Sequence, residues 1–215
     1  MRAPYAAITA EGYHSIFLSA FSSLIFALIG CWPVAFILLL LTGFACHFFR
    51  DPERIIPDKK NIAVSPADGK IIRIASVTDP LNGESRQCVS IFMNVLNVHV
   101  NRIPVSGTVK AIEYKAGRFL NASLNKASED NERCLYSIQD RNGDSWTMVQ
   151  VAGLIARRIV CRVDRGEDVT RGERFGMIKF GSRVDLYIPD GYIPAVMVGD
   201  VVMAGSTILA HKEDD

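Results

Sequence analysis

The seven-residue stretches Gly166-Glu167-Asp168-Val169-Thr170-Arg171-Gly172 and Gly199-Asp200-Val201-Val202-Met203-Ala204-Gly205 share one pattern, Gly-acid-x-Val-x-x-Gly, and start 33 residues apart. Glycine at either end supplies turn conformations closed to other residues, and the valine between them fills a core. Around the two copies, short apolar runs alternate with turns. Residues 71–77, 88–93, 108–114, 134–138, 147–151 and 183–188 are all of strand length and bounded by polar or turn residues. Asn82-Gly83 and Asn142-Gly143 are hairpin signals. Helical periodicity is weak, and residues 155–160 are ambiguous between helix and strand. The body therefore reads as mainly β, a barrel or sandwich carrying an internal repeat.

The repeat is similar to the grammar of lipoyl- and biotinyl-type sandwich domains. A cofactor lysine would stand at a hairpin tip in such a domain. No Met-Lys or equivalent occupies that place here, so the repeat reads as structural.

The 215 residues are enough for one sizeable domain and an appendage. A net charge of +1 excludes the general basic field of a nucleic-acid binder. The hydrophobic content of 49% is unevenly spread: residues 12–49 contain no Asp, Glu, Lys or Arg. Gly30-Cys31-Trp32-Pro33 breaks this apolar stretch. Residues 15–29 are short for a span of about 20 residues, and residues 33–49 lie at the lower limit. Pro33 suits the first turn of a second helix. Residues 1–49 are thus expected to form an N-terminal hydrophobic helical hairpin that spans the bilayer or dips into it. A secretory signal would need a basic start, one short apolar core and a small-residue cleavage site; this stretch is too long. Arg50, Arg54, Lys59 and Lys60 follow it, and Arg2 precedes it. Both ends then prefer the cytoplasm, which puts a β-rich domain of residues 50–215 on the cytoplasmic face of the cell membrane.

The five cysteines, Cys31, Cys46, Cys88, Cys134 and Cys161, are odd in number and form no CxxC pair. That argues against a disulfide framework or zinc site and for a reducing compartment, with the thiols as small buried hydrophobes.

Four segments carry reactive side chains: Ser65-Pro66-Ala67-Asp68-Gly69; Asn97-Val98-His99-Val100-Asn101-Arg102-Ile103-Pro104; Asn121 through Lys126 to Asn131-Glu132-Arg133; and Gly172 through Phe180-Gly181-Ser182. Taken singly, His99 reads as a core histidine and Asp68 as a turn aspartate. Together with Phe49-Arg50-Asp51-Pro52, in this order and behind an apolar N-terminus, they resemble the phosphatidylserine decarboxylase family in its short bacterial and archaeal form. The resemblance runs from about residue 48 to the C-terminus.

The resemblance implies a β-rich enzyme made as an inactive precursor that cuts itself before a serine. It implies that Ser182 Oγ attacks the Gly181 carbonyl, with His99 as base and Asp68 orienting its ring. The products would be residues 1–181 and 182–215, which stay associated; whether the enzyme forms a homo-oligomer is left open. Ser182 would become a covalent pyruvoyl group that forms a Schiff base with phosphatidylserine, with no pyridoxal phosphate and no metal. Carbon dioxide would leave and phosphatidylethanolamine would result. Longer relatives carry a second histidine where Arg102 stands, so the proton donor to the α-carbon is unassigned; a guanidinium there suits a substrate carboxylate or phosphate. Gly205-Ser206-Thr207 matches the long-form cleavage pattern literally, but Gly205 already belongs to the repeat, which favours Ser182. Residues 121–133 are expected near the active site, without roles for Lys126, Glu132 or Arg133. A membrane-anchored binding module would use the repeat and stay uncut, and an envelope serine hydrolase would use the Ser/His pair on outside substrates. Neither accounts for the order of Asp68, His99 and Gly181-Ser182. A sister pyruvoyl enzyme acting on a small amino acid fits the apolar N-terminus poorly.

Overall fold

The computed structural model describes residues 7–117, 122, 130–153, 159–178 and 181–213. They fall into two compact units divided between Glu53 and Arg54.

The first unit is a helical pair, α1 (Ala10–Leu28) and α2 (Trp32–Phe48), with Pro33 in the first turn of α2. Polar groups hold the pair together. Ser23 Oγ donates to the Ala35 carbonyl at 2.8 Å, and Thr42 Oγ1 donates to Ser19 Oγ at 2.9 Å. The expected hydrophobic hairpin is corrected here: among the described residues no helix is long and apolar enough to cross a membrane. The physical reason is twofold. The 17 residues of α2 reach only about 26 Å against a hydrocarbon core of about 30 Å. The longer α1 spends its length on Glu11, Gly12, His14 and four serines.

The second unit is mainly β. All six apolar runs are strands: β2 (Gly69–Thr78), β3 (Ser85–Met93), β5 (Gly107–Lys115), β6 (Arg133–Asp140), β7 (Ser145–Val151) and β11 (Ser182–Ile188). Six short strands and pieces accompany them: β1 (Ile62–Val64), β4 (Val100–Arg102), β8 (Ile159–Cys161), β10 (Arg174–Ile178), β12 (Tyr192–Pro194) and β14 (Ile208–Lys212). The repeat supplies the remaining two, β9 (Asp168–Val169) and β13 (Val201–Val202). Eight strands form one sheet in the order β13-β2-β3-β11-β7-β6-β5-β9, and two three-stranded sheets, β1-β14-β12 and β4-β10-β8, complete the unit.

This arrangement corrects the expected barrel or sandwich to a half-barrel. The two copies of the repeat are the two edges of the large sheet, each only two residues long, and short edges offer little template for a further strand. Instead of pairing, the edges converge on side chains. Gly172 and Gly205 both have left-handed φ, +81° and +77°. A Cβ on Gly205 would lie 2.9 Å from Arg102 Cδ, 3.1 Å from Ile56 Cδ1 and 3.7 Å from Gly172 Cα. Arg102 Nη1 donates to the Gly172 carbonyl at 2.9 Å. Val169 and Val202 point into the same core, as the repeat pattern requires.

Along the central strands, side chains alternate between two apolar clusters. Ile91, Met93, Cys134, Tyr136, Trp146, Met148, Val184 and Leu186 belong to the main core. Cys88, Leu135, Val149, Val151 and Tyr187 belong to a second cluster, on the opposite face. Ile91 is fully buried, so Ile91→Ala is expected to destabilise the β unit by about 2–5 kcal/mol, read as a lowered urea midpoint; a change below about 0.5 kcal/mol would mean that the main core does not close over β3.

Candidate active site

Ser182 is the first residue of β11 and is paired with Met93 of β3. It lies on the core-facing side of the strand with Val184, Leu186 and Ile188, and it is fully buried. Its Oγ donates to Met93 Sδ at 3.4 Å. Gly181, just before it, has φ +51° with nothing within 4 Å of an added Cβ. The peptide bond between them therefore follows a left-handed turn into a central strand.

The same sulfur meets a second donor. Asn101 Nδ2 approaches Met93 Sδ at 3.6 Å. Asn101 Oδ1 accepts from Gln150 Nε2 at 2.7 Å, and Gln150 Oε1 accepts from Tyr136 Oη at 2.6 Å. Burial pushes the Tyr136 phenol up, so it stays a neutral donor. A donor at that end fixes the Gln150 amide, which fixes the Asn101 amide, which turns Nδ2 toward the sulfur. Asn101 and Gln150 are both fully buried, and every contact in the chain pairs a donor with an acceptor.

His99 immediately precedes β4, two residues from Asn101, and is fully buried. Its Nδ1 lies 2.9 Å from the Asn97 carbonyl. A carbonyl only accepts, so Nδ1 carries the proton and Nε2 is the basic nitrogen. A main-chain carbonyl thus takes part in orienting the ring. Asp68 Oδ1 accepts from the Ala204 N–H at 2.7 Å, and Oδ2 pairs with Arg54 Nη2 at 2.7 Å. The Arg102 N–H donates to the Pro66 carbonyl at 2.9 Å, which ties the Asp68 loop to β4. Arg102 itself is buried, with one guanidinium donor on Gly172. Ser206, the other serine weighed, sits in a tight turn in which the Met203 carbonyl accepts from its N–H at 3.1 Å.

On the other side of β11 stands β7, with Arg183 opposite Val151. Just past β7, the Ala152 N–H donates to the Glu132 carbonyl and the Ala152 carbonyl accepts from Asn131 Nδ2 at 2.7 Å. The Asn-Glu-Arg triplet thereby anchors the chain beside Gly181. Arg183 points to the opposite face from Ser182. Its Nη2 donates to Asp185 Oδ2 at 2.9 Å, and its Nη1 donates to the Ala122 carbonyl at 3.1 Å. Lys126, Asn121 and Phe180 lie outside the described residues. Among the described residues there is no group of three or more His, Cys, Asp or Glu placed to hold a metal ion.

Met93, Asn101, Gln150, Tyr136 and Arg54 were not singled out from the sequence. Gln150 left a signal: it follows Trp146 and Met148 at the inward positions of β7, where an amide needs a partner. Asn101 lies inside a quoted motif.

Residues 41–210 match the family described as phosphatidylserine decarboxylase. The chain is 62% identical over 215 residues to the phosphatidylserine decarboxylase proenzyme of Nitratidesulfovibrio vulgaris, covering all of this chain and 99% of that one. It is 52% identical over 215 residues to the proenzyme of Solidesulfovibrio magneticus, with both chains covered in full. With the proenzyme of Ehrlichia chaffeensis it shares 50% identity over 206 residues, which is 95% of this chain and 91% of that one.

Cys88 and Cys134 are buried as expected, Cys31 and Cys46 are half-buried, and Cys161 departs furthest from the expectation of buried, inert cysteines. Cys161 is exposed. A hydrogen bond from Cys134 holds its pKa below the ordinary thiol range, while Cys134, the donor of that bond, is pushed up. The thiolate is the reactive form, so alkylation of Cys161 is expected to titrate below the ~8.5 of a free cysteine and to slow as pH falls through that lower value. Removing the donor in Cys134→Ala should move the titration back up; peptide mass mapping of iodoacetamide adducts against pH reads both.

Proposed function

The chain belongs to the phosphatidylserine decarboxylase family and is an enzyme of that family, and from that membership we propose that it decarboxylates phosphatidylserine with a pyruvoyl group built from its own Ser182. The observation that carries this reading is a buried serine hydroxyl at the head of a central strand, next to the carbonyl of a left-handed glycine.

In the proposed self-cleavage, Ser182 Oγ adds to the Gly181 carbonyl carbon and the C–N bond breaks, giving an ester. Loss of the Ser182 α-proton then expels the upstream chain as a carboxylate and leaves dehydroalanine. Water hydrolyses that residue to the pyruvoyl group and ammonia. His99 Nε2 takes the hydroxyl proton and returns it to the leaving nitrogen. Asp68, held by Arg54 and the Ala204 N–H, is proposed to supply the negative charge that favours the imidazolium formed at His99. Met93 and the Tyr136–Gln150–Asn101 chain hold the hydroxyl in place and keep bulk water out.

The residues present fit the group: the serine that would form it is buried and its neighbours are fixed. Once formed, it supplies the Schiff-base electron sink that decarboxylation beside an amine requires. Arg102 is buried where the two sheet edges meet, and we assign to it the substrate's carboxylate or phosphate, which suits a guanidinium. Residues 182–215 contribute β11 between β3 and β7, β13 beside β2, and β14 between β1 and β12, which supports two cut chains that stay together. A bilayer lipid as substrate supports work at the cell membrane, and Arg50, Lys59 and Lys60 suit the anionic lipids of its cytoplasmic face.

Intact mass spectrometry of the purified protein tests the reading. Two chains split between Gly181 and Ser182 are expected, the smaller one lacking a free amine. Ser182→Ala should remain a single chain of 215 residues and form no phosphatidylethanolamine; normal product formation by that variant would overturn the mechanism, and a split before Ser206 would move its site. His99→Ala is expected to slow processing by about 10²–10⁴-fold, seen as precursor on a gel, and full processing would remove His99 from the cleavage step.

A further inference from the structure

Gly153 lies just beyond the end of β7 and is buried. Strands β7 and β11 are antiparallel with Arg183 opposite Val151. Continuing that register by two residues sets Gly153 opposite Gly181. A Cβ built on Gly153 would overlap the Gly181 carbonyl oxygen, and it would lie 2.8 Å from the carbonyl carbon and 3.4 Å from Ala122 Cβ. The bare Cα of Gly153 is therefore packed directly on the carbonyl that the proposed cleavage attacks.

The two glycines answer different needs. Gly181 has a left-handed φ and open space around it. Gly153 is outside the left-handed region, so a positive φ is not what requires glycine there. What position 153 lacks is room. Asn131 and Glu132 hold Ala152 from both its carbonyl and its N–H, so this wall cannot easily retreat.

We propose that Gly153 is a positioning residue for self-cleavage: its missing side chain seats the Gly181 carbonyl where Ser182 Oγ can reach the carbon. The proposal rests on the reading that Ser182 attacks Gly181. A side chain at 153 must push the carbonyl aside, and a displacement of about 1 Å from attack geometry costs on the order of 100-fold in rate.

The full chain made by cell-free synthesis, followed by intact mass against time, gives the test. Gly153→Ala is expected to process about 100-fold more slowly than wild type. Melting of Gly153→Ala in the uncut Ser182→Ala background separates positioning from folding: the double variant should melt below Ser182→Ala, because backbone must shift, yet remain cooperatively folded at the assay temperature. Wild-type processing by Gly153→Ala would overturn the proposal. A wild-type chain not cut between residues 181 and 182 would instead overturn the cleavage reading itself. If Gly153→Ala does not fold, a crystal structure of Ser182→Ala decides: the Gly181 carbonyl oxygen against Gly153 Cα upholds the proposal, and a separation beyond the about 4.5 Å of van der Waals contact overturns it.

Discussion

Everything at the candidate site depends on the register of β11. The strand is hydrogen-bonded on both sides, to β3 with Ser182 opposite Met93 and to β7 with Arg183 opposite Val151. Because side chains alternate, a slip of one residue would exchange Ser182 for Arg183 at the buried face. Two different forces oppose that slip. Val184, Leu186 and Ile188 fill the main core on one side, and Arg183 and Asp185 pair with each other on the other side, both only about 3% exposed. An arginine forced into the apolar face would lose that partner, and an unpaired buried charge is among the costliest errors a fold can carry. The position of one hydroxyl is thus set by a whole strand.

The curl of the sheet sets the other half of the site. Its two edges converge on Arg102, which lies on β4 one residue after Asn101 and three after His99. The glycines that end the two repeats approach where side chains would not fit. The arginine that joins the seam is therefore continuous with the segment that carries the proposed base.

The strands were legible because each is a short apolar run of strand length and most are bounded by turn residues. Gly83 and Gly143 adopt the left-handed φ, +78° and +91°, that their Asn-Gly signals imply. Closure was not legible, because edge pairing depends on sheet curvature and on contacts such as Arg102 with Gly172, far apart in sequence. The N-terminal helices were readable as helices, but their polar inner contacts, Ser23 with Ala35 and Thr42 with Ser19, were hidden in an apolar average. Ser182, His99 and Asp68 were proposed from the order of their motifs, whereas the chain from Tyr136 to Asn101 joins residues on three strands. Gly153 left no signal at all: its reason is a carbonyl 28 positions downstream, at Gly181.

The central place of β11 also bears on the protein's life history. The intact precursor can use one continuous chain to bring β11 between its neighbours, so folding is a first-order event. A cut before Ser182 would keep every strand contact and remove that connection. The mature enzyme would then hold an architecture that it could rebuild only by second-order encounter of two fragments, with a stability that depends on concentration. Maturation would turn an equilibrium fold into a kinetically held one. Unfolding in dilute conditions would end the molecule's service, and new synthesis, rather than refolding, would be the way to restore it.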